Sequence, residues 1–269
     1  MPISLTVSPS GSDTLLPVPV YADYGLGSFL KGYSSPDRTS APFLTIQAAL
    51  DYGLAVCADE ISVAAGAYTA PIVLSDLAGR TNPRSPIVIK GAGPSTIIGT
   101  AGANCFSAVG AGAAVTLKDM TLQTTGSGSC ISAVKGATVD YEGINFAVCA
   151  GHHVFAASNS VVTQSGNCTI SGGAVNHLWA DSGARINIAT RQVTLSGTPA
   201  FSGKFAEATM NGSISAVLAT FAGTGATGTR FNAASGGTIN ANGGGASFFP
   251  GSIAGTGTNP SASPYGLYV

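Results

Sequence analysis

Two carboxylates in the middle of the chain have the type and spacing that hydrolytic chemistry needs. Asp140 and Glu142 alternate with Val139 and Tyr141, so in an extended strand both carboxylates lie on one face, about 7 Å apart. Paired carboxyl groups at such separations act as acid and base, or as acid and nucleophile, in glycoside hydrolysis. Lys118 is expected on the neighbouring strand. If the chain is an enzyme, these three polar residues are its predicted catalytic group.

The chain repeats itself from Cys105 to about Phe249. The repeats are separated by 25, 23, 24, 28 and 25 residues, counted between the equivalent positions Phe106, Ile131, Val154, Leu178, Ala206 and Phe231. Self-similarity at such a period is typical of solenoids, in which each repeat stacks on its neighbours. We number the equivalent position 0, so that −1 and +1 are the residues directly before and after it.

Each repeat contains three short runs in which apolar and polar residues alternate, for example Cys130–Val134, Ala137–Tyr141 and Ile144–Val148. Three strands of about five residues and three corners fill one repeat, which predicts one coil of a three-faced parallel β-helix. Alternation predicts that positions 0 and +2 face the interior, while −1 and +1 face outward. Position +2 is always alanine, at Ala108, Ala133, Ala156, Ala180, Ala208 and Ala233.

The two columns expected on the outside gather unusual side chains on one wall. Position −1 runs Cys105, Cys130, His153, His177, Phe205 and Arg230, and position +1 runs Ser107, Ser132, Phe155, Trp179, Glu207 and Asn232. Exposed aromatic side chains in such a row usually mark a contact surface.

Three interpretations of this wall remain open. The N-terminal arm or another subunit can cover it, or saccharides can stack on Trp179 and Phe155 while Glu207 and the histidines bond their hydroxyl groups. His153 and His177 can also form a metal pair, but no third ligand is evident, so we predict no metal and no cofactor. Interface or binding residues are therefore expected among Trp179, Phe155, His153, His177, Glu207 and Phe205.

Composition narrows the classes of partner. The net charge is −1, with 9% charged residues and 37 glycines, so there is no basic footprint for nucleic acid and no polybasic membrane patch. No apolar run reaches the roughly 18 residues that span a bilayer, and no signal peptide is visible. The five cysteines match no zinc spacing. We expect Cys105 and Cys130 to be stacked free thiols.

Four phrases ahead of the repeats carry a family resemblance. They are LTVSPSGSD (Leu5–Asp13), APFLTIQAALDY (Ala41–Tyr52), ISVAAGAY (Ile61–Tyr68) and PIVIKGAGPSTIIG (Pro86–Gly99). In this order they resemble the opening of pectate-lyase-like right-handed β-helix proteins, particularly those of bacteriophage tail spikes and related virion proteins. The resemblance implies a right-handed β-helix and a place in a virion, assembled in the host cytoplasm.

The predicted organisation has two parts. Residues 1–40 form an N-terminal strand and an extended arm, and residues 41–269 form the β-helix. Within the β-helix we expect a capping helix at about 45–52, regular coils at about 105–249 and a closing segment at 250–269. Thr45 is suited to begin the helix and Gly53 to end it, with Ile46, Ala49 and Leu50 on its buried face.

The resemblance and the weak carboxylate set together favour a non-enzymatic structural protein of a bacteriophage particle. It would be a short spike, a fibre module or a capsid decoration protein, expected as a homotrimer in contact with other virion proteins and with host-surface polysaccharide. The alternative is a polysaccharide lyase or glycoside hydrolase that acts on a bacterial surface polysaccharide. A stand-alone carbohydrate-binding module is a third hypothesis.

Overall fold

A computed structural model describes residues 4–12, 42–56, 58–75, 86–257 and 266–269. These residues form one α-helix, α1 (Ile46–Val56), and 24 short strands. In chain order the strands are β1 (Ser4–Val7), β2 (Glu60–Val63), β3 (Gly66–Tyr68), β4 (Ile72–Ser75), β5 (Ile87–Gly91), β6 (Thr96–Ala101), β7 (Phe106–Val109), β8 (Ala114–Lys118), β9 (Thr121–Thr125), β10 (Ile131–Val134), β11 (Thr138–Glu142), β12 (Asn145–Phe146), β13 (Val154–Ala156), β14 (Val161–Gln164), β15 (Cys168–Ile170), β16 (Leu178–Ala180), β17 (Arg185–Asn187), β18 (Gln192–Leu195), β19 (Ala200–Ala208), β20 (Ser213–Ser215), β21 (Thr220–Gly223), β22 (Thr227–Ala233), β23 (Thr238–Asn240) and β24 (Leu267–Tyr268).

The strands build three parallel sheets that the chain visits in turn. Sheet A has the order β1-β2-β5-β8-β11-β14-β17-β20-β23-β24, sheet B has β21-β18-β15-β12-β9-β6-β3, and sheet C has β22-β19-β16-β13-β10-β7-β4. From β2 to β23 consecutive strands therefore lie in different sheets, and a strand inside a sheet pairs with its counterparts from the coils before and after. This confirms the predicted three-faced parallel β-helix.

The interior is filled by the columns at positions 0 and +2. Ile131 lies in register with Phe106 and Val154, and all members of the two columns are at most 1% exposed. Alanine at +2 stacks on alanine from β7 to β22. Small side chains suit this position because the walls of a narrow coil approach each other closely. The predicted register is confirmed here.

The prediction for position −1 is wrong. Five side chains expected on the outside are fully buried, namely Cys105, Cys130, His153, His177 and Phe205. The first four lie at a bend where the chain turns from sheet B into sheet C, and Phe205 follows a register shift within β19. Both features interrupt the two-residue alternation that a regular strand imposes. Positions −1 and 0 therefore both face the interior, and the interior corner between these sheets holds thiols, imidazoles and one phenyl ring.

Helix α1 closes the N-terminal end of the solenoid. Its buried face contains Ile46, Ala49 and Leu50, as predicted, and the hydroxyl of Thr45 accepts a hydrogen bond from the amide of Ala48 at 3.2 Å. The expected stop at Gly53 is wrong, because the helix continues to Val56. Gly53 is buried in a space where an added Cβ would lie 3.2 Å from the side chain of Leu5 in β1, so glycine serves close packing here.

The C-terminal segment closes the other end with a final strand, as expected. Strand β24 pairs with β23, and the ring of Tyr268 stacks on that of Phe231 at 3.7 Å. The predicted N-terminal strand is β1, which pairs with β2 and so belongs to the solenoid. The predicted extended arm lies within residues 13–41, outside the described residues. No helix in the described ranges is long and apolar enough to cross a membrane.

Candidate interaction wall on sheet C

The outer face of sheet C carries a compact group of rings. Phe155 and Trp179 occupy position +1 on adjacent coils, and their ring centroids are 5.0 Å apart. The imidazole of His152 lies 4.7 Å from the Trp179 ring and 5.9 Å from the Phe155 ring. All three side chains are partly exposed. We call His152, Phe155 and Trp179 the aromatic trio.

Sequence reasoning predicted Phe155 and Trp179 on this face but missed His152. It occupies position −2, just before the bend, where the neighbouring coils have Ser129 and Asn176. Its amide donates to the Ser129 hydroxyl at 3.3 Å. The polar residues at −2 in the adjacent repeats were the available signal, because they bond to side chains or amides of the neighbouring coils even though Ser129 and Asn176 are themselves buried.

The imidazole of His152 is neutral at neutral pH. Partial burial lowers its pKa, an effect that the negative charge of Glu207 opposes. Its Nδ1 is buried and has no hydrogen-bond partner among the described residues. A buried polar atom without a hydrogen-bond partner raises the free energy of the folded state unless a ligand or water contacts it.

A carboxylate held by two amides lies beside the trio. Glu207 is the neighbour of Trp179 on the next coil, and its two oxygens accept hydrogen bonds from the side chains of Asn176 at 2.8 Å and Asn232 at 3.0 Å. The amide orientation of Asn176 is fixed because its Oδ1 accepts the backbone N–H of Lys204 at 2.7 Å. Glu207 is therefore held in one place by neutral donors.

A second carboxylate is linked to the indole of Trp179. The indole N–H donates to the hydroxyl of Thr209 at 3.0 Å, and this hydroxyl donates to Asp181 at 2.7 Å. The other oxygen of Asp181 accepts the hydroxyl of Ser182 at 2.8 Å. This chain fixes the plane of the indole ring, so the wall is preorganised.

His153, His177 and Phe205 do not belong to this wall, contrary to the prediction. The two imidazoles lie edge to face inside the solenoid, with their Nδ1 atoms 3.2 Å apart. His153 Nε2 lies 3.0 Å from the carbonyl oxygen of Ala147 and must be its donor, so the neutral ring accepts at Nδ1 from His177. His177 Nε2 is then a buried acceptor, without a partner among the described residues.

Burial keeps both interior histidines uncharged. It lowers the pKa of His153 to about 4 and that of His177 well below its usual value. The surroundings are aromatic, since the ring of Phe205 lies 4.9 Å from that of His177 and Phe146 lies 5.2 Å from His153. An imidazolium in this place would have lost its hydration without gaining a counter-ion.

The structure brings Asp140, Glu142 and Lys118 together, but Glu142 and Lys118 are joined to each other by an ion pair. Asp140 and Glu142 both lie on the outer face of sheet A, and Lys118 is in register with Glu142. An ion pair of 2.7 Å joins Lys118 Nζ to Glu142 Oε1, and the hydrogen bond to Glu142 raises the pKa of the lysine. Partial burial raises the pKa of Asp140, while a hydrogen bond with the Thr163 side chain opposes this.

The thiols are free, as expected, but they face inward. Cys105, Cys130 and Cys149 are buried and unbridged, and the thiol of Cys105 donates to the carbonyl of Gln123 at 2.9 Å. A hydrogen bond from Cys130 lowers the pKa of Cys149 to about 7. Nowhere in the described ranges do three His, Cys, Asp or Glu side chains form a group that could hold a metal ion.

Comparison of the chain with family models, with curated proteins and with solved structures returns no match.

Proposed function

We propose that this chain is a non-enzymatic structural protein of a bacteriophage particle that contacts host-surface glycans through the outer wall of sheet C. A short spike, a fibre module or a capsid decoration protein fits this role. The proposal that the protein belongs to a bacteriophage particle rests on the resemblance of the four phrases ahead of the repeats to β-helix proteins of virions. The glycan contact rests on the aromatic trio, which places partly exposed rings beside hydrogen-bonding groups.

The aromatic trio carries the proposal because it gathers three partly exposed rings on one outer face. Sugar rings present C–H faces that pack on aromatic rings, while their hydroxyl groups need polar partners at the rim. Phe155 and Trp179 supply two adjacent rings, 5.0 Å apart. Glu207 supplies a carboxylate beside them, held by Asn176 and Asn232. Neighbouring coils lie about 4.8 Å apart, so a glycan chain can extend along the solenoid.

No observation favours an enzyme in the described part of the chain. Glu142 is held by Lys118, and Glu207 accepts hydrogen bonds from two asparagines. A general acid needs a raised pKa, and Asp140, whose pKa partial burial raises, lies on a different sheet from the aromatic trio.

Tryptophan fluorescence tests the proposal because Trp179 is the single tryptophan of the chain. We expect its emission to shift on titration with purified host-surface polysaccharide fragments. Truncating an aromatic hot spot typically costs about 2 kcal/mol or more, so W179A should weaken binding about 30-fold in an assay that needs no tryptophan, such as calorimetry.

Leu218→Ala is the matched control, because Leu218 is an apolar side chain that is 67% exposed and lies away from sheet C. It should bind like the wild type. The proposal fails if polysaccharide leaves the emission unchanged. It also fails if W179A alters the oligomeric state, measured by light scattering, because the wall would then be a subunit interface.

A further inference from the structure

Three thiols meet at the bend between sheets B and C. Cys105 and Cys130 directly precede β7 and β10 on adjacent coils, and Cys149 lies between β12 and β13. The thiol of Cys130 forms hydrogen bonds with those of both Cys105 and Cys149, so it lies in the middle of the group. We call these three side chains the thiol cluster. All three are buried and unbridged, and the proposed glycan contact does not use them.

The thiol cluster contains one convergent pair. Cys105 and Cys130 precede strands that pair in parallel register, so their side chains point the same way, which disfavours a bridge between them. Cys149 instead follows β12 of sheet B, whereas Cys130 leads into β10 of sheet C. The Sγ of Cys149 donates to the carbonyl of His152 at 3.2 Å, and the same carbonyl accepts the backbone N–H of Cys130 at 2.9 Å. Cys130 and Cys149 therefore approach each other from two walls, as a disulfide requires.

Cys149 is the member of the thiol cluster that an oxidant reaches first. It is 4% exposed, while Cys105 and Cys130 are 0% exposed, and the residue before it, Val148, is 63% exposed. The thiol of Cys149 thus lies directly beneath the surface. Hydrogen bonds from the Cys130 thiol and from the Thr124 hydroxyl, the latter at 3.2 Å, stabilise its thiolate and lower the pKa of Cys149 to about 7. The thiolate is the form of cysteine that peroxides oxidise.

We propose that Cys149 is an oxidation site at which hydrogen peroxide initiates a disulfide with Cys130. The Cys149 thiolate attacks one peroxide oxygen, so that a sulfur–oxygen bond forms and the oxygen–oxygen bond breaks. The released hydroxide takes up the proton that the thiol had lost and becomes water. The sulfur of Cys130 then attacks the sulfenic acid of Cys149, and the sulfenic hydroxyl leaves as water with the Cys130 thiol proton. The two thiols lose two electrons in total, and these electrons reduce the peroxide to water.

The disulfide would tie neighbouring coils together next to the aromatic trio, because His152 follows Cys149 by only a few residues. It would close a loop of about 20 residues, and a bridge of this span stabilises mainly by restricting the unfolded chain. This chemistry does not depend on the proposed function. In a protein assembled in a reducing cytoplasm and then released, the bond would form only after release.

The experiment maps the disulfides of the full-length protein. Reduced protein is treated with a few equivalents of hydrogen peroxide, the remaining thiols are alkylated in urea, and the peptides are identified by mass spectrometry. We expect one disulfide, between Cys130 and Cys149, that dithiothreitol reverses, with Cys105 and Cys168 alkylated. Cys168 is the internal control, because it is also 4% exposed but burial raises its pKa to about 12.

Two variants separate the steps of the reaction. In Cys130→Ala the sulfenic acid of Cys149 lacks its partner, so dimedone, which traps sulfenic acids, should label Cys149. Cys168→Ala is the matched control and should form the disulfide as the wild type does. Circular dichroism first establishes that both variants fold. The disulfide map of the wild type needs neither variant, so it tests the inference even if Cys130→Ala unfolds.

The outcomes decide the inference directly. Oxidised wild type should unfold at a temperature higher by about 5 °C or more than the reduced protein, and an unchanged or lower unfolding temperature would show that the bond does not tie the coils together. A disulfide that leaves out Cys130 or Cys149 overturns the inference, and so do cysteines that all remain alkylated after peroxide treatment. The glycan contact is tested separately, with the reduced protein.

Discussion

Acidification from pH 7 to pH 5 should destabilise this protein through its two interior histidines. Both have a folded-state pKa below the value of about 6.5 that an exposed histidine has in the unfolded chain. Between these values the unfolded state binds more protons than the folded state. The stabilisation is therefore fully present above pH 6.5 and is lost as the pH falls toward 4.

The magnitude is given by the linkage relation. Protonation of one unfolded-state histidine with a pKa of about 6.5 contributes about 2 kcal/mol between pH 7 and pH 5, when the folded-state group remains neutral. His153, with a folded-state pKa of about 4, is still mostly neutral at pH 5 and accounts for this loss of about 2 kcal/mol. Burial lowers the pKa of His177 as well, so its contribution has the same sign and the loss from the pair should exceed that from His153 alone.

The assay is urea unfolding followed by circular dichroism at pH 7, 6 and 5. In a double variant with His153→Leu and His177→Leu, the fall in the free energy of unfolding that these histidines cause between pH 7 and pH 5 should disappear. The variant starts from a lower stability, because the carbonyl of Ala147 loses its hydrogen-bond donor. His152→Gln is the control and should keep most of the pH dependence, since His152 is only partly buried. The same pH dependence in wild type and double variant would refute the buried, neutral pair.

Two further predictions concern the packing and the carboxylates. Ala208→Leu should lower the free energy of unfolding by roughly 1–3 kcal/mol through overpacking, because Ala208 is fully buried between Ala180 and Ala233; unchanged thermal stability would show that the register is wrong. The double variant of Asp140→Asn with Glu142→Gln should change stability by no more than about 1 kcal/mol, since the ion pair of Glu142 lies at the surface and is about one third exposed, and should leave glycan binding intact. Loss of any glycan depolymerisation in it would establish an enzyme.

The repeat period and the apolar alternation were enough to predict the coil. They placed Ile131 and Ala133 inside, Trp179 on the outer face, and Lys118 beside Glu142. These features depend only on strand geometry and on the in-register stacking of coils, and both can be predicted from a repeating sequence.

The corners could not be predicted in the same way. Whether His153 faces inward depends on where the chain bends, and no alternation within a strand encodes that. The same bend brings His152 against Trp179 and carries the side chain of Asn176 to Glu207 on the next coil. Gly53 resembles a helix stop because the sequence does not show that Leu5 packs against it.

The most direct test of the central claim observes the indole N–H resonance of Trp179 by nuclear magnetic resonance. The chain has one tryptophan, so this resonance reports only on the wall of sheet C, where the indole donates to Thr209. We predict that host-surface polysaccharide fragments shift it progressively to saturation. An indole resonance that stays in place while other resonances shift to saturation would contradict the account, because the glycan would then bind elsewhere.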